Sequence, residues 1–231
     1  MIAPAPPLAA AISRTVRRYR GASRFGRFYV AGKLRLDPLY QALFALPAPR
    51  FGTVIDLGCG RGQLGILLLE AGAATTVLAV DGQAALLADA RQVSDGLNLR
   101  TERYDLTALP ALPAADTIFM IDVLYQLDAA TQQAVLEAAT TAARRRIIIR
   151  AADPARGWRS RLTGGLERMV RRVWPHAGAH VNPRPVGAIV DRLEAAGFSV
   201  SIRPCWQGTP FSNVLIDAIR RDTTDDHPAA T

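Results

Sequence analysis

Apolar residues recur along this chain with two alternating periods, and that alternation predicts an α/β protein. Short aliphatic and β-branched runs read as strands. They are Val54-Ile55-Asp56-Leu57, residues 76–81, about 98–104, 116–122 with Thr117-Ile118-Phe119-Met120-Ile121 as its body, and Ile147-Ile148-Ile149-Arg150. The last of these suits a strand covered on both faces. Between the runs the spacing turns helical. Leu64, Ile66, Leu67, Leu68 and Leu69 mark a helix at about 62–71, stopped by Gly72. Ala84, Leu87, Ala88 and Arg91 mark another at about 83–94, and a third spans about 129–143. A helix at about 185–196 ends at Gly197, and residues 198–204 and 212–220 form a closing strand pair. There is no internal repeat.

The two ends and one internal segment stand outside this alternation. Residues 1–10 are rich in Pro and Ala and read as disordered, as do residues 221–231, which leaves a single domain at 11–220. Residues 11–31 read as a basic helix bearing Ile12, Val16, Tyr19, Phe25 and Phe28, interrupted at Gly21 or Gly26. Gly32 to Pro38 reads as a connector to a short helix at about 38–46, ended by Pro47 and Pro49. Residues 155–174 read as an amphipathic helix with Trp158, Leu162, Leu166, Met169 and Trp174 near one face and arginines near the other. It forms most of a helical insertion at 155–182 after the fifth strand.

The chemistry concentrates at Asp56-Leu57-Gly58-Cys59-Gly60-Arg61-Gly62. A buried strand ends in an acid and runs into a turn with glycine at alternate positions, so a ligand can approach the main chain closely. A glycine turn between a strand and a helix N-terminus is where an open α/β sheet binds a nucleotide-like ligand. About one βα unit later Asp81 ends the next strand beside Gly82, where a carboxylate can accept both hydroxyls of a ribose. Gly60-x-Gly62-x-x-Gly65 also matches a dinucleotide fingerprint, but Asp56 occupies the position before the turn where a dinucleotide fold usually has an apolar residue.

Asp-x-Gly-x-Gly-x-Gly at 56–62, followed by the acid at Asp81, resembles the class I S-adenosylmethionine-dependent methyltransferases. The resemblance implies a Rossmann-like seven-stranded sheet, mostly parallel with the last strand antiparallel, helices on both faces and a helical lid over residues 11–46, the basic helix at its start being alternatively a cover for one sheet edge. It implies a cofactor site at Asp56, Gly58, Cys59, Gly60, Gly62, Asp81 and Gly82. It adds Asp105 and Leu106 for the adenine, Asp105 being alternatively a turn aspartate, and Asp122 at the end of the fourth strand. There Asp122 and Tyr125 are the candidates to touch the sulfonium or the acceptor, Tyr125 being alternatively a core residue of the next helix.

A narrower resemblance rests on Gly32-Lys33-Leu34-Arg35-Leu36-Asp37-Pro38 and Gly208-Thr209-Pro210-Phe211-Ser212-Asn213-Val214-Leu215. These segments look like the small methyltransferases of bacterial aryl-polyene and xanthomonadin-type pigment clusters. The resemblance implies a hydroxyaryl or polyketide-like acyl acceptor, O- or C-methylated, free or bound to an acyl carrier protein.

Charge sharpens the question of partners. The chain has a net charge of +8 over 231 residues. No acid precedes Asp37, while residues 14–35 hold eight basic residues. Residues 156–172 add six arginines against Glu167. An acidic acyl carrier protein and an anionic membrane surface both suit these faces. Nucleic acid is disfavoured, because neither an Asn/Asp-Pro-Pro-aromatic motif at the fourth strand nor a Pro-Cys motif of cytosine C5 enzymes is present. No apolar run reaches the roughly 20 residues of a membrane span. Cys59 and Cys205 do not make a disulfide framework, and the expectation is a cytoplasmic protein, in one version peripheral at the inner membrane surface.

Methyl transfer needs positioning first and, for an oxygen or carbon acceptor, often a base. His176 and His180 follow the insertion and are the candidate bases, while His227 lies in the polar tail. No Asp/Asn/His cluster has metal-ligand spacing, so no metal is expected. The competing functions are a nucleic-acid or protein methyltransferase and a non-catalytic binding protein on the same fold.

Overall fold

Seven strands carry the fold: β1 (Gly52–Leu57), β2 (Ala74–Asp81), β3 (Leu99–Arg103), β4 (Ala115–Ile121), β5 (Ala143–Ala152), β6 (Phe198–Pro204) and β7 (Asn213–Arg220). In the computed structural model, which describes residues 8–152, 182–207, 209 and 212–221, they form one sheet in the order β3-β2-β1-β4-β5-β7-β6. The first five strands pair in parallel, and β7 is antiparallel to both β5 and β6. The chain crosses from β3 at one edge to β4 beside β1. This is the topological switch, and it opens a crevice beyond the C-terminal ends of β1 and β4.

Alternation along the strands sends side chains to two cores. Ile148 joins the core under α1 (Leu8–Arg18), α3 (Pro38–Phe44), α4 (Gln63–Glu70) and α5 (Ala84–Val93). Its neighbours Ile147 and Ile149 join the core on the other face, under α6 (Ala129–Ala142) and α7 (Val186–Ala195). The remaining helix, α2 (Arg24–Leu36), buries Gly26, Val30 and Leu34. Helix α1 packs on α4 through Ala11 and Thr15. Glu70 at the end of α4 receives Arg14 Nε at 2.7 Å and Arg18 Nε at 2.5 Å.

Three boundaries differ from the sequence reading, each for a physical reason, while the interruption of the basic helix at Gly21 agrees with it. Helix α1 begins at Leu8, inside the stretch read as disordered, because Leu8 and Ile12 pack on the core. The basic helix breaks in a 3-10 turn at Tyr19–Gly21 and restarts at Ser23, whose hydroxyl accepts from Gly26 N at 3.1 Å. Gly32 to Leu36 is not a connector. Val30 and Leu34 share one buried face, so α2 continues to Leu36, and only Asp37 interrupts it before capping α3 at Leu39 N, 3.0 Å away. Pro38 pushes that single residue out of the helical region (φ −80°, ψ 120°).

Strand β5 begins at Ala143 and draws the Arg144–Arg146 run into the sheet. Arg146 is buried there because Asp217 on β7 receives its Nε at 2.6 Å and its Nη2 at 2.7 Å. The guanidinium also lies over the Phe51 ring. The amphipathic helix read at 155–174, and with it most of the insertion at 155–182, lies outside the described residues.

Candidate active site

Strand β1 delivers the glycine turn into the crevice. Gly58 N and Cys59 N both donate to Val80 O, at 2.8 and 2.9 Å, and so tie the turn to β2. Two glycines in it do different work. Gly60 sits at φ +57°, and a Cβ there would meet nothing within 4 Å, which leaves its backbone open to the crevice. Gly62 sits at φ +74° and starts α4; a Cβ there would lie 2.8 Å from Ala90 Cβ of α5. Gly62 is therefore a packing glycine, and of the ten residues assigned to the cofactor it alone does not border the cavity.

That cavity has a volume of about 360 Å³. Asp56, Gly58, Cys59, Gly60, Asp81, Gly82, Asp105, Leu106 and Asp122 all line it. Asp81 is buried, with Oδ2 accepting from Gly60 N at 2.9 Å and Oδ1 from Gln83 N at 2.8 Å. Asp105 caps the 3-10 turn Leu106–Ala108 through Thr107 N at 2.9 Å, and this bond holds its carboxyl below the usual value. It borders the cavity while doing so. Cys59 is buried, and burial followed by the charges of Asp56 and Asp81 drives its thiol far above the ordinary range, so it is no nucleophile.

Two buried polar atoms in this lining have no partner within the described protein: Asp56 Oδ2 and Gln63 Oε1. Burial, then the nearby charge of Asp81, pushes the Asp56 carboxyl up to about 7, with Lys33 pulling the other way. Buried polar atoms are normally satisfied, so this lining suits a ligand carrying hydrogen-bond donors, and Asp56 suits a cationic one.

A second cavity of about 470 Å³ adjoins the first. Tyr29, Lys33 and Asp122 border both. The rest of its lining is largely apolar, with Leu36, Pro38, Tyr125, Ala152 and Cys205 among its walls. Tyr125 lies on the 3-10 turn Leu124–Gln126, ahead of α6, and borders this second cavity rather than serving as a helix core residue.

The partition between the cavities is ionic. The parallel register sets Ile121 beside Arg150, so Asp122 leaves β4 within reach of that guanidinium. Arg150 Nε donates to Asp122 Oδ1 at 2.6 Å, Nη2 donates to Asp122 Oδ2, and Nη1 donates to Asp37 Oδ1 at 2.5 Å. Lys33 Nζ lies 3.3 Å from Asp122 Oδ2 and 3.9 Å from Asp37 Oδ2. Burial would raise the Asp122 carboxyl, but the charges of Arg150 and then Lys33 outweigh it and hold it below its usual value. Burial would likewise lower the Lys33 ammonium, and Asp122 chiefly reverses that, so Lys33 stays protonated. Asp122 also holds a left-handed backbone at φ +58°, a conformation that costs a non-glycine residue about 1–2 kcal/mol. Its carboxylate bonds, together with Gln126 Nε2 donating to its carbonyl at 2.5 Å, over-determine that geometry.

Sequence reasoning missed Tyr29, Lys33, Asp37, Gln63 and Arg150 as site residues. One signal was present for Arg150: a charge at the end of an isoleucine run, on a strand whose parallel neighbour ends in aspartate. Another was that Lys33 is the single lysine in the chain. His176 and His180 lie outside the described residues.

Residues 54–145 match the family described as methyltransferase domain. No curated protein sequence matches the chain significantly. Solved structures share the fold. An O-methyltransferase family protein from Burkholderia thailandensis superposes with a TM-score of 0.66 at 21% identity, over 89% of this chain and 62% of that one. Magnesium protoporphyrin IX methyltransferase from Synechocystis PCC 6803, with bound SAH, superposes with a TM-score of 0.60 at 21% identity, over 90% and 94%. An O-methyltransferase family 2 protein from Planctomyces limnophilus, in complex with apigenin, superposes with a TM-score of 0.61 at 17% identity, over 90% and 66%. The chain thus spans about two thirds or less of the length of the Burkholderia and Planctomyces proteins.

Proposed function

Because residues 54–145 match the methyltransferase domain family, we propose that this chain is a class I S-adenosylmethionine-dependent methyltransferase and that it methylates a small hydroxyaryl or polyketide-like acceptor. The observation that carries the reading is the pair of adjoining cavities, one polar with orphaned buried acceptors and one largely apolar, divided by Lys33 and Asp122.

The residues of the first cavity fit the cofactor. Asp56 Oδ2 is a buried acceptor without a donor, which suits the ammonium of the methionyl end. The Asp81 carboxylate suits the ribose diol, Leu106 and Asp105 suit the adenine, and the open backbone at Gly60 allows close approach. When bound, S-adenosylmethionine supplies a methyl group already activated on a sulfonium, so the protein's work is to position and deprotonate.

The second cavity would take the acceptor. Its apolar lining desolvates an aromatic ring, and the Lys33 ammonium favours a phenol in its ionised form. The cofactor, when bound, would supply its methyl group to the acceptor oxygen, or to the ring carbon that ionisation activates, its sulfonium becoming a neutral thioether. His176 or His180 would receive the phenol proton, and Tyr125 would pack on the acceptor. Both segments of the narrower family resemblance contribute to this cavity, through Gly32, Lys33, Leu36, Asp37 and Pro38 and through Thr209 and Asn213. That supports a hydroxyaryl acceptor of the pigment-cluster type, free or carrier-bound. Two of the superposed structures belong to O-methyltransferase family proteins, one of them solved in complex with apigenin.

The test is transfer of labelled methyl from S-adenosylmethionine to a panel of phenols, hydroxybenzoyl thioesters, RNA, DNA and protein. Label in the phenols or thioesters is expected; label in a macromolecule alone would overturn the reading.

A further inference from the structure

Helix α2 presents three faces, and the sequence assigns each a different chemistry. Gly26, Val30 and Leu34 face the core. Phe25, Phe28, Tyr29 and Leu36 follow one another on the solvent side within about 100° of helical arc. Phe28 is 68% and Leu36 80% exposed, high values for side chains of this size. Arg27 and Arg35 lie on the third face, where α1 and α2 enclose a groove of about 370 Å³ that Arg17 and Arg20 also line.

The arginines of this region divide sharply. Arg14 and Arg18 are half-buried and share Glu70, which offsets one of their two charges. Arg17, Arg20, Arg24, Arg27 and Arg35 are exposed and have no acidic partner among the described residues. The apolar stripe runs to the acceptor side of the molecule, because Tyr29 and Leu36 border the second cavity.

We propose that the outer face of α1 and α2 is a docking surface for an anionic phospholipid bilayer. The unpaired arginines meet lipid phosphates, and Phe25, Phe28 and Leu36 enter the interface, the arrangement by which amphipathic helices bind bilayers. Exposed aromatic and aliphatic groups on a stripe flanked by arginine favour a bilayer over an acidic protein, which would meet the charges without requiring the apolar projection. Docked so, the mouth of the second cavity opens at the bilayer interface, and an amphiphilic acceptor enters from the lipid phase. That last consequence rests on the proposed function; the docking does not.

The experiment is sedimentation of the full chain with phosphatidylcholine vesicles, with and without phosphatidylglycerol, at low and high salt. Binding only to vesicles containing phosphatidylglycerol, weakened by salt, is expected. Arg17→Gln/Arg20→Gln/Arg27→Gln should weaken it on the order of 100-fold. Phe28→Ser should weaken it with the salt dependence retained. Both variants should keep the S-adenosylhomocysteine affinity and unfolding midpoint of the parent. A parent that stays in the supernatant, or a triple variant that sediments like the parent, overturns the proposal. Arginine-dependent capture by an acidic acyl carrier protein without vesicle binding overturns it too, and makes the face a protein site. Cofactor titration is read separately, so failure of the docking and failure of the enzyme reading are told apart.

Discussion

Lys33 Nζ and Asp122 Oδ2 meet 3.3 Å apart in the wall between the two cavities, although 89 residues separate them in the chain. The ammonium stays charged there, while the carboxylate is already doubly bonded to Arg150. Replacing Lys33 therefore removes a cation from the acceptor side without orphaning Asp122. Lys33→Met should lower kcat/KM for a phenolic acceptor roughly tenfold or more, equivalent to about 1.4 kcal/mol. It should also move the rising limb of the pH profile upward, because the phenol must ionise unaided. Lys33→Arg should recover part of the loss. An unchanged pH profile in Lys33→Met would remove Lys33 from acceptor activation.

Asp81 offers its carboxylate to the first cavity while bracing Gly60 N and Gln83 N. Asp81→Ala should weaken S-adenosylhomocysteine by about 1.5–3 kcal/mol, the range for a charged hydrogen-bond acceptor. Asp81→Asn, which keeps one acceptor oxygen, should lose less. Calorimetric titration reads both, and an affinity equal to the parent's in Asp81→Ala would place the ribose elsewhere.

The two glycines of the turn should fail differently. Gly60→Ala projects into open space at the cavity and should reduce cofactor affinity more than stability. Gly62→Ala drives a methyl against Ala90 and should reduce stability more than affinity, by about 1–3 kcal/mol as for an overpacked core. Urea unfolding beside cofactor titration separates the pair; identical behaviour would contradict the division of labour.

Asp56 makes stability depend on pH with a definite sign. Its carboxyl moves from an ordinary 3.8 to about 7 in the folded protein, chiefly by burial. The folded state thus binds more protons than the unfolded one between those values, and stability must fall as pH rises through that window. Above about 7 the loss is complete. Asp56→Asn should flatten this slope in urea unfolding. If Asp56 holds the methionyl ammonium, cofactor binding near neutral pH should release protons, visible in calorimetry in buffers of different ionisation enthalpy. Unfolding with no pH slope from Asp56 would mean that its charge is already compensated.

Arg146 and Asp217 form a bidentate pair buried between β5 and β7. Removing one partner strands the other, so Asp217→Leu or Arg146→Met alone should cost about 3–5 kcal/mol. The double variant should recover much of that, since neither charge is then left buried alone. A double-mutant cycle in urea that shows simple additivity would refute the coupling.

What the sequence made legible follows from which signals are local. The buried runs and the glycine turn could be read because a strand covered on both faces must be apolar, and because a turn at positive φ favours glycine. The ionic partition could not. Lys33 is one of eight basic residues in a 22-residue stretch, and its partner lies four strands away in chain order. Burial of Arg146 depends on Asp217, 71 residues downstream, so a helix read to about 143 and a strand read from Ile147 left the Arg144–Arg146 run outside the sheet. Gly62 matched a ligand-binding pattern, yet spacing alone does not distinguish a glycine that admits a ligand from one that admits a neighbouring helix. Asp105 caps its turn and borders the cavity at once, so the turn reading and a ligand role are not separable by sequence spacing.

The central claim is that the turn at Asp56–Gly62, with Asp81 beyond it, holds S-adenosylmethionine rather than a dinucleotide. Calorimetric titration of the purified chain with S-adenosylhomocysteine and, separately, with NAD tests it most directly. Micromolar binding of S-adenosylhomocysteine is expected, abolished or strongly weakened in Asp81→Ala, with no heat from NAD. Binding of NAD alone would contradict it.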